Sequence, residues 1–149
     1  HLLGVGAPED LLEGIARGVD LFDSALPTRT ARNGGLYTRA GRVSILNARF
    51  RQEPEPVETG CDCPTCRGFS AAYLHHLFKA REILGLRLAT LHNVRFLLRL
   101  LEEARKAIAE GRFLAFKGAF LAGYRTSDEG VRVQQKQRWL AARQDRGEG

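Results

Sequence analysis

The sequence predicts an α/β protein: a parallel strand pair joined by one helix, then a cysteine-bearing segment and a succession of helices. Three observations predict it. The chain opens with two short apolar runs, Leu2 to Val5 and Val19 to Phe22, separated by the amphipathic run Leu11, Leu12, Ile15 and Ala16. Strand, helix and strand at this spacing imply a right-handed crossover between parallel strands. All three cysteines of the chain fall within Cys61, Cys63 and Cys66, which favours a metal over a disulfide framework. From Phe69 onward the apolar residues recur with helical period. With 149 residues, 44% of them hydrophobic, the chain suffices for the core of one modest domain.

The elements follow in order. Pro8 suits a helix start, Glu9 and Asp10 its first turn, and Gly18 the position just past its end. The second strand ends at Asp23, after which Pro27, Thr28, Arg29 and Arg32 read as a polar, cationic loop. A carboxylate is thereby delivered to the lip of an apolar layer with two guanidinium groups just beyond it, the place where parallel α/β sheets carry chemistry. The alternative is a turn cap flanked by solvated arginines. Gly4-Val5-Gly6 lacks the third glycine and the acidic partner of a dinucleotide loop, which excludes that reading.

Leu36 to Thr38 and Val43 to Leu46, divided by Arg39-Ala40-Gly41-Arg42, read as a β-hairpin. Pro54, Pro56 and the acids around them form an extended connector. Helices are expected from Phe69 to a stop at Gly85, from a cap at Thr90 or Asn93 to Gly111, and from Phe113 to Tyr124. Residues 125–149 read as a loosely packed tail with a short helix near Trp139.

Cys61-Asp62-Cys63-Pro64-Thr65-Cys66 places three thiolates on one tight turn, where they can face a single ion. Zinc takes four such ligands in a tetrahedron, and a closed Cys3His set holds structure together without activating water. The fourth ligand is a histidine, with His75, His76 and His92 as candidates. His92 is expected just before a helix start, where it can reach back to the turn. The net charge of +6 favours an anionic partner, nucleic acid first. No apolar run approaches the ~20 residues that span a bilayer, and no signal-peptide pattern is present. Cytoplasmic location is the expectation. A start at His1, without Met and inside an expected strand, reads as part of a longer protein.

Together, Gly4-Val5-Gly6 with Pro8-Glu9-Asp10-Leu11, Gly18-Val19-Asp20-Leu21-Phe22-Asp23, Leu26-Pro27-Thr28-Arg29, Ala31-Arg32-Asn33-Gly34, the cysteine cluster, Tyr73-Leu74-His75-His76-Leu77 and Thr90-Leu91-His92-Asn93 resemble the bacterial tRNA-guanine transglycosylases. The resemblance runs in register from residue 1 to about Tyr124. It implies a (β/α)8 TIM barrel of which residues 1–34 are the last two βα units, with residues 35–124 an inserted zinc-binding α+β subdomain and closing helices. It implies exchange of a wobble guanine in tRNA for a 7-deazaguanine base, with Asp23 as nucleophile. Thr28, Arg29 and Arg32 would meet RNA, and Leu3 would pack on the bound base. Structural Zn²⁺ would be held by Cys61, Cys63, Cys66 and His92. A homodimer contact is implied through the subdomain, where Phe69, Tyr73 and His76 share one helical face.

Three positions depart from the family's habit. Leu3 stands where methionine is common, His1 where tyrosine is frequent, and Ser24 where cysteine is common. None of them removes a catalytic group. A non-catalytic, zinc-stabilised tRNA-binding module is the alternative reading, and a purely structural zinc domain a third.

Overall fold

The computed structural model describes residues 1–125. The parallel pair is present but short. β1 (Leu2–Leu3) lies against β2 (Phe22–Asp23), with Leu2 opposite Phe22 and Leu3 opposite Asp23. Between them runs α1 (Pro8–Ala16), with Pro8 at its start and two acids in its first turn as expected. Both strands are shorter than the apolar runs suggested, for local reasons. Gly4 turns the chain out of β1 at φ +75°, a conformation that costs other residues, while the Val19 amide bonds back to the Gly14 carbonyl and belongs to the end of α1.

The expected cationic loop is a helix, α2 (Leu26–Arg32). Pro27 preorganises its first turn, and the Ser24 hydroxyl accepts the Leu26 amide at 3.1 Å. Burial of Thr30 and Ala31 gives the helix an inner face, and Arg29 and Arg32 lie on its outside. The hairpin expectation holds: β3 (Gly35–Thr38) pairs antiparallel with β4 (Gly41–Ser44), closing on Thr38 opposite Gly41. A 3₁₀ turn at Ala48–Phe50 and the irregular connector follow.

Four helices complete the described chain: α3 (Pro64–Gly68), α4 (Ala71–Lys79), α5 (Ile83–Ala109) and α6 (Phe113–Gly123). Ser70 caps α4 by accepting the Tyr73 amide. The break between α4 and α5 falls at residues 80–82, with Arg81 at φ +58°, and not at Gly85. Gly85 is instead buried inside α5, where an added Cβ would come within 3.0 Å of Leu77 Cβ and 3.3 Å of Phe78 Cδ2. Its glycine serves close helix crossing, not termination. Thr90 and Asn93 accordingly cap nothing, because both lie within the 27 residues of α5.

That helix, about 40 Å long at 1.5 Å per residue, is the spine. Toward its C-terminal half Phe96, Leu97, Leu100 and Ala104 pack with Leu11 and Leu12 of α1, with Tyr37, and with Phe120 and Tyr124. Toward its N-terminal half Leu88 and Ala89 pack with Ala31, Leu36, Ile45, Phe50 and three buried residues of α4. The Arg125 amide donates to the Ala40 carbonyl, tying the chain beyond α6 to the hairpin turn. The expected helix near Trp139 lies outside the described residues. Among those residues no helix is long and apolar enough to cross a membrane.

Candidate metal centre and the rim of the strand pair

The cysteine turn is pinned before any ion is considered. Pro64 opens α3, and the Cys66 amide donates to Cys63 Sγ at 3.2 Å. Thr65, buried between the cysteines, donates its hydroxyl to the Leu88 carbonyl at 2.7 Å, which fastens α3 to α5. One helical turn further along α5, His92 is fully buried.

The side chains of Cys61, Cys63, Cys66 and His92 converge, their four ligand atoms all within 4.8 Å of one another. His92 Nδ1 stands 3.9, 3.6 and 3.3 Å from the three sulfurs in chain order. A tetrahedral ion bound through thiolates and an imidazole would separate those atoms by about 3.6 Å, so the donor set fits one. The other ring nitrogen decides the tautomer. His92 Nε2 lies 2.7 Å from the Tyr37 carbonyl, which can only accept, so Nε2 carries the proton and Nδ1 is left to coordinate. Orientation of a ligand histidine by a backbone carbonyl is the usual outer support of such sites.

The electrostatics agree. A hydrogen bond from the Cys66 thiol, helped by His92, holds Cys63 far below an ordinary thiol, and the same contact pushes Cys66 up. Burial pulls the His92 imidazole down, but the Cys61 and Cys63 sulfurs and the Tyr37 carbonyl carry it up to about 10. A group of thiols and imidazole that already shares its protons this tightly can exchange them for a cation. His75 and His76 are not brought to this cluster. His75 is buried and donates from Nδ1 to the Ile45 carbonyl at 2.7 Å, while His76 is exposed.

Next to His92 lies a residue whose role was missed in the sequence. Asn93, fully buried, accepts the Tyr37 amide at 3.0 Å and donates to the carbonyls of Pro27 and Gly35 at 3.1 and 2.9 Å. It therefore joins α5 to both α2 and β3. A polar residue in the middle of an apolar helical stripe was the available signal.

The second site is open. Asp23 ends β2 with a side chain 62% exposed, its Oδ1 3.0 Å from His1 Nε2. Leu3, its neighbour across the pair, is 69% exposed. Ser24 donates weakly to the Gly4 carbonyl at 3.3 Å, linking the loops that follow the two strands. Thr28 is half-buried, its hydroxyl turned back to the Ala25 carbonyl at 3.1 Å. Arg29 and Arg32, three residues apart on α2, are exposed neighbours on one side of that helix. Exposed Tyr73 and His76 lie on α4, but Phe69, expected on the same helical face, precedes the Ser70 cap in extended backbone and reaches Tyr73 from there, its ring stacked on that of Tyr73 with centroids 5.3 Å apart.

A crossover strand pair with a carboxylate on its rim, together with a Cys3His cluster that joins the cysteine turn to a long helix through His92, defines an α/β protein with a closed metal-type centre. The sequence profile of the queuine tRNA-ribosyltransferase family matches residues 1–126, and the chain belongs to that family. Its similarity to a queuine tRNA-ribosyltransferase of Dehalococcoides mccartyi is 56% identity over 143 residues, covering 96% of this chain and 36% of the relative. Relatives of the same name from Herpetosiphon aurantiacus and Herminiimonas arsenicoxydans are 55% and 52% identical, over 89% and 82% of this chain and 34% and 32% of theirs. The chain thus spans about a third of the length of the curated relatives it matches.

Proposed function

We propose that this chain is the carboxyl-terminal part of a tRNA-guanine transglycosylase, an enzyme that exchanges the wobble guanine of tRNA for a 7-deazaguanine queuosine precursor. The observation that carries the reading is the position of Asp23: an exposed carboxylate at the carboxyl end of a parallel strand, where α/β enzymes place their reacting groups. Family membership supplies the substrate class. In the proposed reaction Asp23 attacks C1′ of the target ribose, the C1′–N9 bond breaks with its electron pair leaving on guanine, and the RNA is held as a glycosyl ester. The incoming base then attacks the same carbon and releases the carboxylate. Two inversions restore the original configuration. The target nucleotide has to leave its stack to reach Asp23.

In this reading residues 1–34 are the last two βα units of a (β/α)8 barrel, residues 35–124 the zinc-binding subdomain with its closing helices, and residues 125–149 a tail. Arg29 and Arg32 pair with RNA phosphates beside the nucleophile, with Thr28 adjoining them, and Leu3 packs on the base. Cys61, Cys63, Cys66 and Nδ1 of His92 hold one Zn²⁺, which when bound cross-links the cysteine turn to α5 and takes no part in the chemistry. The exposed Phe69, Tyr73 and His76 face is a homodimer contact, and the enzyme works in the cytoplasm.

The test is a denaturing gel. Full-length protein containing this chain, incubated with tRNA, is expected to give a protein–RNA adduct that disappears in Asp23→Ala. An adduct that persists in the variant overturns the nucleophile. Binding without adduct in the unaltered protein would support the alternative, a zinc-stabilised tRNA-binding module.

A further inference from the structure

The cysteine turn has one feature that holding an ion does not require. Cys63-Pro64-Thr65-Cys66 is a C-x-x-C pair spanning the start of α3, with Cys63 as N-cap and the Cys66 amide bonded to Cys63 Sγ. In thiol–disulfide enzymes that spacing lets two cysteines close and reopen a disulfide. The three sulfurs of the turn are also unequally sheltered. Cys61 is 8% exposed and Cys63 0%, whereas Cys66 is only half-buried. A small oxidant arriving from solvent therefore meets Cys66 first.

Its neighbours then decide the product. The Cys63 and Cys66 sulfurs lie within 4.8 Å of each other, and the two residues are three apart across the first turn of a helix. Cys61 and Cys63 are only two apart, and so small a ring strains the ordinary disulfide dihedral. Cys63 and Cys66 are also the two sulfurs nearest His92 Nδ1, at 3.6 and 3.3 Å. Joining them withdraws two donors and leaves Cys61 with His92, whereas a closed tetrahedral site needs four.

We propose that Cys66 and Cys63 form a peroxide-sensitive dithiol, a covalent modification site at which hydrogen peroxide turns the metal-binding cysteines into a disulfide that no longer holds zinc. The Cys66 thiolate attacks one peroxide oxygen, the O–O bond breaks, and hydroxide leaves with the electron pair, giving a sulfenic acid at Cys66. The Cys63 thiolate then attacks that sulfur, the S–O bond breaks, and a second hydroxide leaves. The two thiolates give up two electrons, the peroxide takes them, and both hydroxides gain protons from solvent and depart as water. A dithiol reductant reopens the bond by exchange. The inference rests on the zinc reading of the cluster and is independent of RNA.

The experiment uses unaltered full-length protein, its zinc content measured first. Protein is treated with hydrogen peroxide beside an untreated sample, and released zinc is followed with a chromogenic chelator. Free thiols are then blocked with iodoacetamide in denaturant, and thiols freed by later reduction with N-ethylmaleimide. Gln52 to Arg67 form one tryptic peptide that holds all three cysteines, so its fragment ions report the label on each. The expected result is loss of zinc in step with maleimide on Cys63 and Cys66 and iodoacetamide on Cys61, with zinc binding restored by dithiothreitol and added zinc. Maleimide on Cys61 overturns the pair, as does zinc release with Cys66 carried to sulfinic acid and no disulfide. Retention of zinc and of all three thiols, under peroxide that oxidises free cysteine, overturns the site. A protein without zinc before treatment would remove the zinc reading alone, and the label pattern would still decide the dithiol.

Discussion

The Cys3His centre and the Asp23 rim are built to opposite rules. At the centre each of Cys63, Cys66 and His92 is fixed by more than one contact, and Thr65, Tyr37 and Asn93 tie the surrounding elements together. At the rim the two strands have two residues each and present Leu2, Leu3 and Asp23 exposed, with only Phe22 packed inward, and Asp23 meets one exposed imidazole. A group that must hold the fold is over-determined within its own neighbourhood. Asp23, by contrast, is left accessible, as the proposed role of nucleophile requires.

The sharpest way to break this contrast is to remove the metal that the Cys3His set would hold. Chelation, or Cys63→Ser, is expected to cost the cooperative unfolding of residues 35–124, since structural zinc binding carries on the order of 10 kcal/mol that is coupled to folding. Bound metal and helical circular dichroism should fall together. An unaltered melting curve would place Cys63 and the ion outside the folding core.

Asn93→Ala comes next. It leaves the Tyr37 amide and two carbonyls without their buried partner, and a loss of about 3 kcal/mol is expected from the desolvated groups, read as a lower midpoint in urea. A loss below about 0.5 kcal/mol, the range of ordinary surface changes, would mean that solvent replaces the side chain.

Asp23→Asn reverses the comparison. Stability should stay within about 0.5 kcal/mol of the parent, as for an exposed position, while adduct formation is lost. A large drop in melting temperature would make Asp23 a structural residue.

The smallest effect belongs to Asp62, beside the cysteines but outside the cluster, where Arg95 reaches it at 2.6 Å. The hydrogen bond from Arg95 lowers the Asp62 carboxyl below its ordinary value of 3.8. A carboxyl lowered by folding stabilises the protein above its unfolded value and loses that contribution as pH falls through the folded one. Melts of Asp62→Asn and parent should therefore differ slightly at neutral pH and converge below about 3.8. A gap that widens in acid would contradict the pairing.

Much of this was legible from the chain because it is carried by short-range pattern. The hairpin, the helix starting near Pro8 and the cysteine turn each depend on residues within a few positions of one another, and the crossover pair on two apolar runs separated by a single helix. Where the reading failed, a distant partner overrode the local signal. Gly85 looked like a stop, yet Leu77 and Phe78 require a glycine there for two helices to cross. Thr28 to Arg32 looked like a loop, yet burial of Thr30 and Ala31 makes it a helix. Asn93 looked like a cap, yet it is the bond between α5, α2 and β3.

By itself the sequence determined the donor chemistry of this protein, the spacing of its thiols, and the order of strand, helix, strand and hairpin, because these depend on side-chain type and local period. Only the tertiary structure decided which histidine faces the sulfurs and through which nitrogen. That choice depends on the Tyr37 carbonyl, 55 residues away in the chain, which claims one side of the ring and leaves the other to the cluster.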